Sequence, residues 1–270
     1  MEDTSVTYGT TGSDSHTAAV TVDNADQDGS VGFSCTYSDV AGNAIASAIT
    51  SATSGSVTID NTHPTSTSAV LAVGGSGDGN NGDDVTLTLN PSEDVGTPTC
   101  TFTSGGAGMA NTVSYSTTGD DSHVATIAVA DGDTNGAVAF SCTYSDSAGN
   151  AIATAITAAS SGAVTIDNTH PTASAVTIAV TGTGNGNDAD VVTLTIDPSE
   201  TIGAPTCTFT SGGAAMADSS VTYATVGGTD HHTAAVTVAD ADTDGAVAFS
   251  CTFSDSAGNS VTSAVTALTA

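Results

Sequence analysis

Apolar and polar residues alternate with a period of two along most of the chain. The run "DVTLTLN" (84–90) sets Val85, Leu87 and Leu89 on one side and threonines on the other. "PTCTFTS" (98–104), "NTVSYST" (111–117), "HVATIAV" (123–129) and "AVAFSCTYS" (137–145) repeat the pattern. Alternation of this kind marks half-buried strands, one face turned to a core and the other to water. Further strands are expected at "SAVLAV" (68–73) and across "AIATAIT" and "GAVTID" within 151–167. Gly, Asn, Asp and Ser clusters separate the runs and suit tight turns. No useful length of helical period occurs. About seven short strands in about a hundred residues predict an all-β fold built of β-sandwiches.

The pattern recurs. "GSVGFSCTYSDVAGN" (29–43), "GAVAFSCTYSDSAGN" (136–150) and "GAVAFSCTFSDSAGN" (245–259) are three versions of one sentence. Tyr8, Tyr115 and Tyr223 align, as do His16, His123 and His232. "VTIDNTHPT" occurs at 57–65 and again at 164–172. The repeating unit is about a hundred residues, the size of an independent domain rather than of a solenoid coil. The expected division is a partial repeat over 1–63, lacking its first strands, and sandwiches over 64–170 and 171–270. Short Pro-stiffened linkers between strand-rich units predict an elongated rod.

The cysteines follow the repeat. Val138, Phe140, Cys142 and Tyr144 share one face of a strand, and Cys100 and Phe102 share a face of another. In a seven-strand sandwich these strands stand third and sixth, as sheet neighbours. Disulfides Cys100–Cys142 and Cys207–Cys251 are therefore expected, with Cys35 an unpaired thiol because the partial repeat lacks the partner strand. Such bridges belong to oxidising, extracellular settings.

Composition narrows the partners. Among 270 residues there are 29 acidic side chains and no Lys or Arg, giving a formal charge of −29. Nucleic acid is excluded as a partner, since no phosphate can be neutralised. Docking on anionic lipid lacks its basic cluster, and no apolar run of about 20 residues offers direct membrane insertion. Divalent cations and cationic partners fit. No G-x-S-x-G elbow, P-loop or H-E-x-x-H occurs, so an enzyme is not expected.

"VTLTLNPSE", "GAVAFSCTYSDSAGN" and "VTIDNTHPT" resemble the tandem Ig-like repeats of large bacterial-type cell-surface and adhesin proteins, here in a cysteine-containing variant. The resemblance implies an extracellular, cell-surface stalk or adhesion module of Ig-like sandwiches. Its partners would be cell-surface or matrix components, or copies of itself. An alternative is a filament subunit whose partial repeat is completed by strand addition from a neighbouring chain.

Calcium is the candidate ligand, at two kinds of place. The motif [DN]-x-D-x-[DN]-G occurs as Asn24, Asp26, Asp28, then Asp131, Asp133, Asn135, then Asp240, Asp242, Asp244. It matches the first half of a calcium loop, with oxygens on alternating residues and Gly at the sharp turn, but no closing Glu follows. The second place is the joint between units. Asp60 and Asn61, and again Asp167 and Asn168, immediately precede the linker prolines. Glu93 and Glu200 lie in "PSE", and Asp39, Asp146 and Asp255 in "SDxAGN". Joints that cluster such oxygens can be stiffened by an ion.

Overall fold

The computed structural model describes residues 5–269 except 13, 76, 119–120, 183 and 227–229. All of its regular elements are strands. The first segment holds β1 (Thr7–Thr10), β2 (His16–Ala19), β3 (Gly29–Ser30) and β4 (Thr58–Ile59). The second unit holds β5 (Ser66–Val73), β6 (Asp84–Pro91), β7 (Thr99–Ser104), β8 (Ala107–Gly108), β9 (Ser114–Thr117), β10 (His123–Ala128), β11 (Gly136–Thr143) and β12 (Thr165–Ile166). The third repeats this with β13 (Ala173–Val180), β14 (Val191–Pro198), β15 (Thr206–Ser211), β16 (Ala214–Ala215), β17 (Thr222–Thr225), β18 (His232–Thr237) and β19 (Val247–Thr252).

Each of the two larger units is a β-sandwich. In the second, one sheet runs β5-β6-β10-β9 and the other β12-β11-β7-β8. The third pairs β13-β14-β18-β17 with β16-β15-β19. The inward residues come from both sheets: Leu71, Val85, Leu87, Leu89 and Ile127 from one, Phe102, Phe140 and Cys142 from the other. Period-two alternation thus does what the sequence predicts, since a strand between two neighbours buries only one face.

The closing stretch of the unit departs from the strands expected within 151–167, of which only β12 forms a ladder. It forms single bridges, at Ser145↔Ala151 and Cys142↔Ile156. The physical reason is that it serves both sheets in turn. Ile156 exchanges two hydrogen bonds with Cys142 of β11. Then Ser160 donates to Ala69, and Leu71 donates to Ser161, on β5. Then Val138 donates to Val164, back at β11. A segment that switches sheets cannot keep a long ladder with either. The expected strand over 111–117 is likewise shorter, since only Ser114–Thr117 pairs with β10.

Cys100 stands directly opposite Cys142, and Cys207 opposite Cys251, on adjacent strands of one sheet. Their Cα atoms are 4.2 and 4.1 Å apart, and the pairs are bonded. Both amides point away from the pair: Cys142 donates to Ile156 and Cys100 to the Tyr115 hydroxyl at 2.8 Å. This is the non-hydrogen-bonded type of antiparallel pair, the type that brings side chains closest. Tyr115 reaches across the sandwich from β9, and Tyr223 does the same for Cys207 at 2.9 Å. The aligned tyrosines therefore tie one sheet to the cystine strand of the other.

The first segment has no such enclosure. Tyr8 is 81% exposed, and Phe33 is 41% exposed where its counterparts Phe140 and Phe249 are 7% and 8%. Cys35 is a free, half-buried thiol bridged through its backbone to Ile49.

Two stability outcomes follow. Cys100→Ala with Cys142→Ala should destabilise the second unit by about 4 kcal/mol, because the bond closes a 42-residue separation. Tyr115→Phe should cost about 1–2 kcal/mol by leaving the Cys100 amide without its acceptor. Chemical denaturation of each variant checks both, and unchanged midpoints would contradict the roles assigned.

Candidate metal centre

Two turns and a linker build each joint. The first turn follows β6. Ser92 donates its amide to Thr65 at 2.8 Å, and the Ser92 hydroxyl takes the Thr65 amide at 3.0 Å. This reciprocal lock sets Glu93 beside the linker. The second turn follows β11, where Gly149 takes φ of 100°, a left-handed conformation natural to glycine. Asp146 caps that turn: its Oδ1 accepts the amides of Gly149 at 2.7 Å and Asn150 at 2.8 Å, and its Oδ2 accepts the Asn150 side-chain amide at 2.8 Å.

The linker is stitched to the turn it meets. Asn150 Nδ2 also donates to the Asp60 carbonyl at 2.9 Å, and His63 Nδ1 donates to the Ala151 carbonyl at 2.7 Å. The next joint repeats the arrangement, with Asn259 Nδ2 on the Asp167 carbonyl at 2.7 Å and His170 Nδ1 on Ser260 at 2.7 Å. These asparagines and histidines were legible only as turn and linker residues. The signal for their role was their fixed place in every copy.

The outcome is a carboxylate triad at each joint. Asp60, Glu93 and Asp146 each offer an oxygen, all within 4.8 Å of one another, and so do Asp167, Glu200 and Asp255. Asp146 is 8% exposed and Asp255 9%. Burial pushes the Glu93 carboxyl above its ordinary pKa, with the charges of Asp60, Asp146 and Asp28 adding to it. Glu200 is raised by the same causes, burial first and then Asp255 and Asp167, with His170 opposing. Burial works against the Asp146 charge too, but the donors from Asn150, Gly149 and Ala148 outweigh it and hold the group below the usual carboxylate range. Glu200 Oε1 is buried without a hydrogen-bond partner among the described residues.

The other expected ligands are placed differently. Asn61 and Asn168 do not join the triads. Asn61 Nδ2 donates back to the Asp23 and Asp26 carbonyls at 3.1 and 2.9 Å, and Asn168 Nδ2 to Ala130 and Asp133 at 2.9 and 3.1 Å. An amide that faces two carbonyls is turned as a donor, so these residues tie the linker to the unit before it.

The [DN]-x-D-x-[DN]-G loops also spend their oxygens internally. Asp133 accepts the Ala110 and Ala130 amides at 2.8 and 2.9 Å, and Asp242 those of Ala217 and Ala239 at 2.7 and 2.9 Å. Asp26 accepts the Asp23 amide at 3.0 Å. Asn135 binds the Asp167 and Thr169 side chains at 2.9 and 2.7 Å. Asp28 is held below the usual carboxylate range by the Thr62 hydroxyl and then the Asn61 amide. Asp131 lies 4.0 Å from His170, and the Asp240 amide donates to Asp188 at 3.2 Å. Among the described residues, acidic groups gather in threes only at the joints.

No protein family matches the chain, and no curated protein sequence does. Solved structures do. A titin I-band fragment is 13% identical, with a TM-score of 0.34, over 75% of this chain and 64% of the fragment. A tetra-tandem repeat from the extending region of a large adhesion protein is 18% identical, with a TM-score of 0.32, over 89% of this chain and 56% of that one. A marsupial T cell receptor is 13% identical over 76% of this chain, with a TM-score of 0.29. The chain therefore spans less than two thirds of the first two.

The triads set a pH dependence in the absence of divalent cations. A carboxyl raised above its unfolded pKa stabilises the fold below that unfolded value, and the contribution is lost as pH rises through the folded one. In chelator the melting temperature should therefore rise as pH falls from 7 to about 5. Below about 4 it should fall again, as Asp28, Asp39, Asp146 and Asp218, all held low by hydrogen bonds, are protonated. Glu93→Gln with Glu200→Gln should remove the rise between 7 and 5, which differential scanning calorimetry would read.

Proposed function

We propose that this chain is part of an extracellular stalk, a row of Ig-like sandwiches whose joints are stiffened by calcium. The observation that carries the reading is the pair of matching triads, Asp60–Glu93–Asp146 and Asp167–Glu200–Asp255. Each takes one carboxylate from the linker and two from the unit that follows. Three carboxylates held together in a chain without Lys or Arg need a proton or a metal ion to relieve their repulsion. At neutral pH a hard divalent ion fits best, since all the available ligands are oxygens. Calcium takes 6–8 of them in flexible geometry, so carboxylates, backbone carbonyls and water would share the shell.

An ion there would fix the linker on the unit that follows, while Asn61 and Asn168 already tie the linker to the unit before it, so the angle between successive units would be held. Disulfides in both larger units favour an oxidising compartment. Among the described residues no helix is long and apolar enough to cross a membrane. The high negative charge keeps neighbouring stalks apart and draws cations towards the joints. The surface partner of such a stalk would be a cell-surface or matrix component.

Calcium should raise the melting temperature at pH 7, and chelator should reverse the gain. Small-angle scattering should show a longer maximum dimension with calcium than with chelator. Glu93→Gln with Glu200→Gln should abolish both responses, and an identical profile with and without calcium would sink the reading.

A second reading, the filament subunit, draws on the open apolar faces of the first segment. Phe33 and Tyr37 are exposed beside the free Cys35. A second copy adding a strand there would be tied through that thiol. Disulfide-linked multimers on non-reducing gels, lost in Cys35→Ser, would favour it, and a monomer by sizing would dismiss it.

A further inference from the structure

We infer that residues 77–80 of the second unit and the turn at 254–259 of the third form a clasp, which holds the two units against each other without a metal ion. Successive domains on a short linker move against one another unless contacts across the joint restrain them. The clasp supplies such contacts.

The sequence Ser-Asp-Ser-Ala-Gly-Asn occurs at 145–150 and again at 254–259. Both copies are built alike. Asp255 Oδ1 accepts the amides of Gly258 at 2.8 Å and Asn259 at 2.9 Å, and its Oδ2 accepts the Asn259 side-chain amide at 2.9 Å, as Asp146 does in the other copy. Gly149 and Gly258 both take φ of 100°. Yet Ala257 is 7% exposed and Asn259 4%, whereas Ala148 is exposed and Asn150 half-buried. One sequence in one conformation differs in burial only through what lies over it.

What lies over the second copy is the 77–80 segment. A Cβ on Gly77 would stand 2.6 Å from the Ser256 carbonyl oxygen, and one on Gly258 would stand 3.0 Å from Asn80 Nδ2. The two contacts flank Ala257. Backbone approaches this closely where glycine leaves room for it, and Gly77 also takes a left-handed φ of 96°. Among the described residues, a Cβ on Gly149 or on Gly184, the counterpart of Gly77, would meet nothing within 4 Å. The close approach therefore belongs to the meeting of the second and third units and not to the turns themselves.

The segment is fixed in place from behind. Gly79 donates to the Thr165 carbonyl at 2.8 Å and accepts the Asp167 amide at 2.9 Å. The Asn80 amide donates to the Asp83 carboxylate at 3.0 Å, and the Asp83 amide returns to the Asn80 carbonyl at 3.0 Å. From the other side, Asn259 Nδ2 donates to the Asp167 carbonyl at 2.7 Å. The linker residue Asp167 is thus bonded through its backbone to Gly79 of the second unit and to Asn259 of the third. Amides, carbonyls and an apolar side chain make these contacts, so they persist when the nearby carboxylates hold no ion. The inference does not rest on the calcium reading.

The test measures residual dipolar couplings of the full chain in chelator. Amides of the second and third units should share one alignment tensor. Ala257→Gln forces a longer side chain under the 77–80 segment and should give the two units separate tensors. Ala148→Gln, the same change in the uncovered copy, should leave the shared tensor intact. Gly77→Val disturbs the contact from the second unit and should act as Ala257→Gln does, so the outcome does not hang on the folding of one variant. Unchanged chemical shifts in the two cores check that both units remain folded. Separate tensors in the unaltered chain, or a shared tensor in both Ala257→Gln and Gly77→Val, would overturn the proposal. Either result would leave the calcium reading standing, since no ion is present.

Discussion

The second sandwich is closed by a single stretch that must bond both sheets, plug the core and then become the linker. In the second unit this is the run from Ala151 to His170. It takes hydrogen bonds from β11, then β5, then β11 again, buries Val164 and Ile166, and delivers Asp167 to the next unit. Closure of one unit and orientation of the next are therefore set by the same residues. Loosening the closing strand would disturb the joint, and holding the joint would brace the strand.

The joints are built without Lys or Arg, and this shapes their chemistry. The carboxylates held low here are held by amides and hydroxyls. Asp146 is held by its own turn, Asp28 by the linker, and Asp39 by the Asn43 side chain and amide. Glu93 and Glu200 are the exceptions, raised by burial and by neighbouring charge. The contrast separates turn chemistry from a site that gains from a ligand. An acidic loop whose oxygens already accept backbone amides, as at Asp133 and Asp242, has little left to offer an ion. A buried glutamate oxygen facing two other carboxylates has everything to gain from one.

The cystines add a constraint of their own. They lie within one sheet and join strands that already pair, so they reinforce a register rather than pin two sheets together. The link between sheets falls to apolar packing and to the tyrosines, which reach from β9 and β17 to the backbone of Cys100 and Cys207. In the first segment the same tyrosine, Tyr8, is exposed and the same cysteine, Cys35, is free. Both of these fastenings are therefore unmade in the first segment.

The sequence by itself determined the all-β class, the repeat, the inward faces and the cysteine partners. Those follow from period-two alternation and internal self-similarity, which are local and visible in one dimension. It also brought Asp60, Glu93, Asp146, Asp167 and Glu200 to notice as residues around a joint. Only the tertiary structure separated them from Asn61 and Asn168, because an amide side chain can serve as donor or acceptor and its neighbours decide which. The same holds for the [DN]-x-D-x-[DN]-G loops, whose spacing fits a calcium loop until the fold hands the Asp133 and Asp242 oxygens to amides, one three residues away and one more than twenty. Sheet switching by the closing stretch was equally hidden, since alternation tells which way a side chain points and not which sheet its backbone joins.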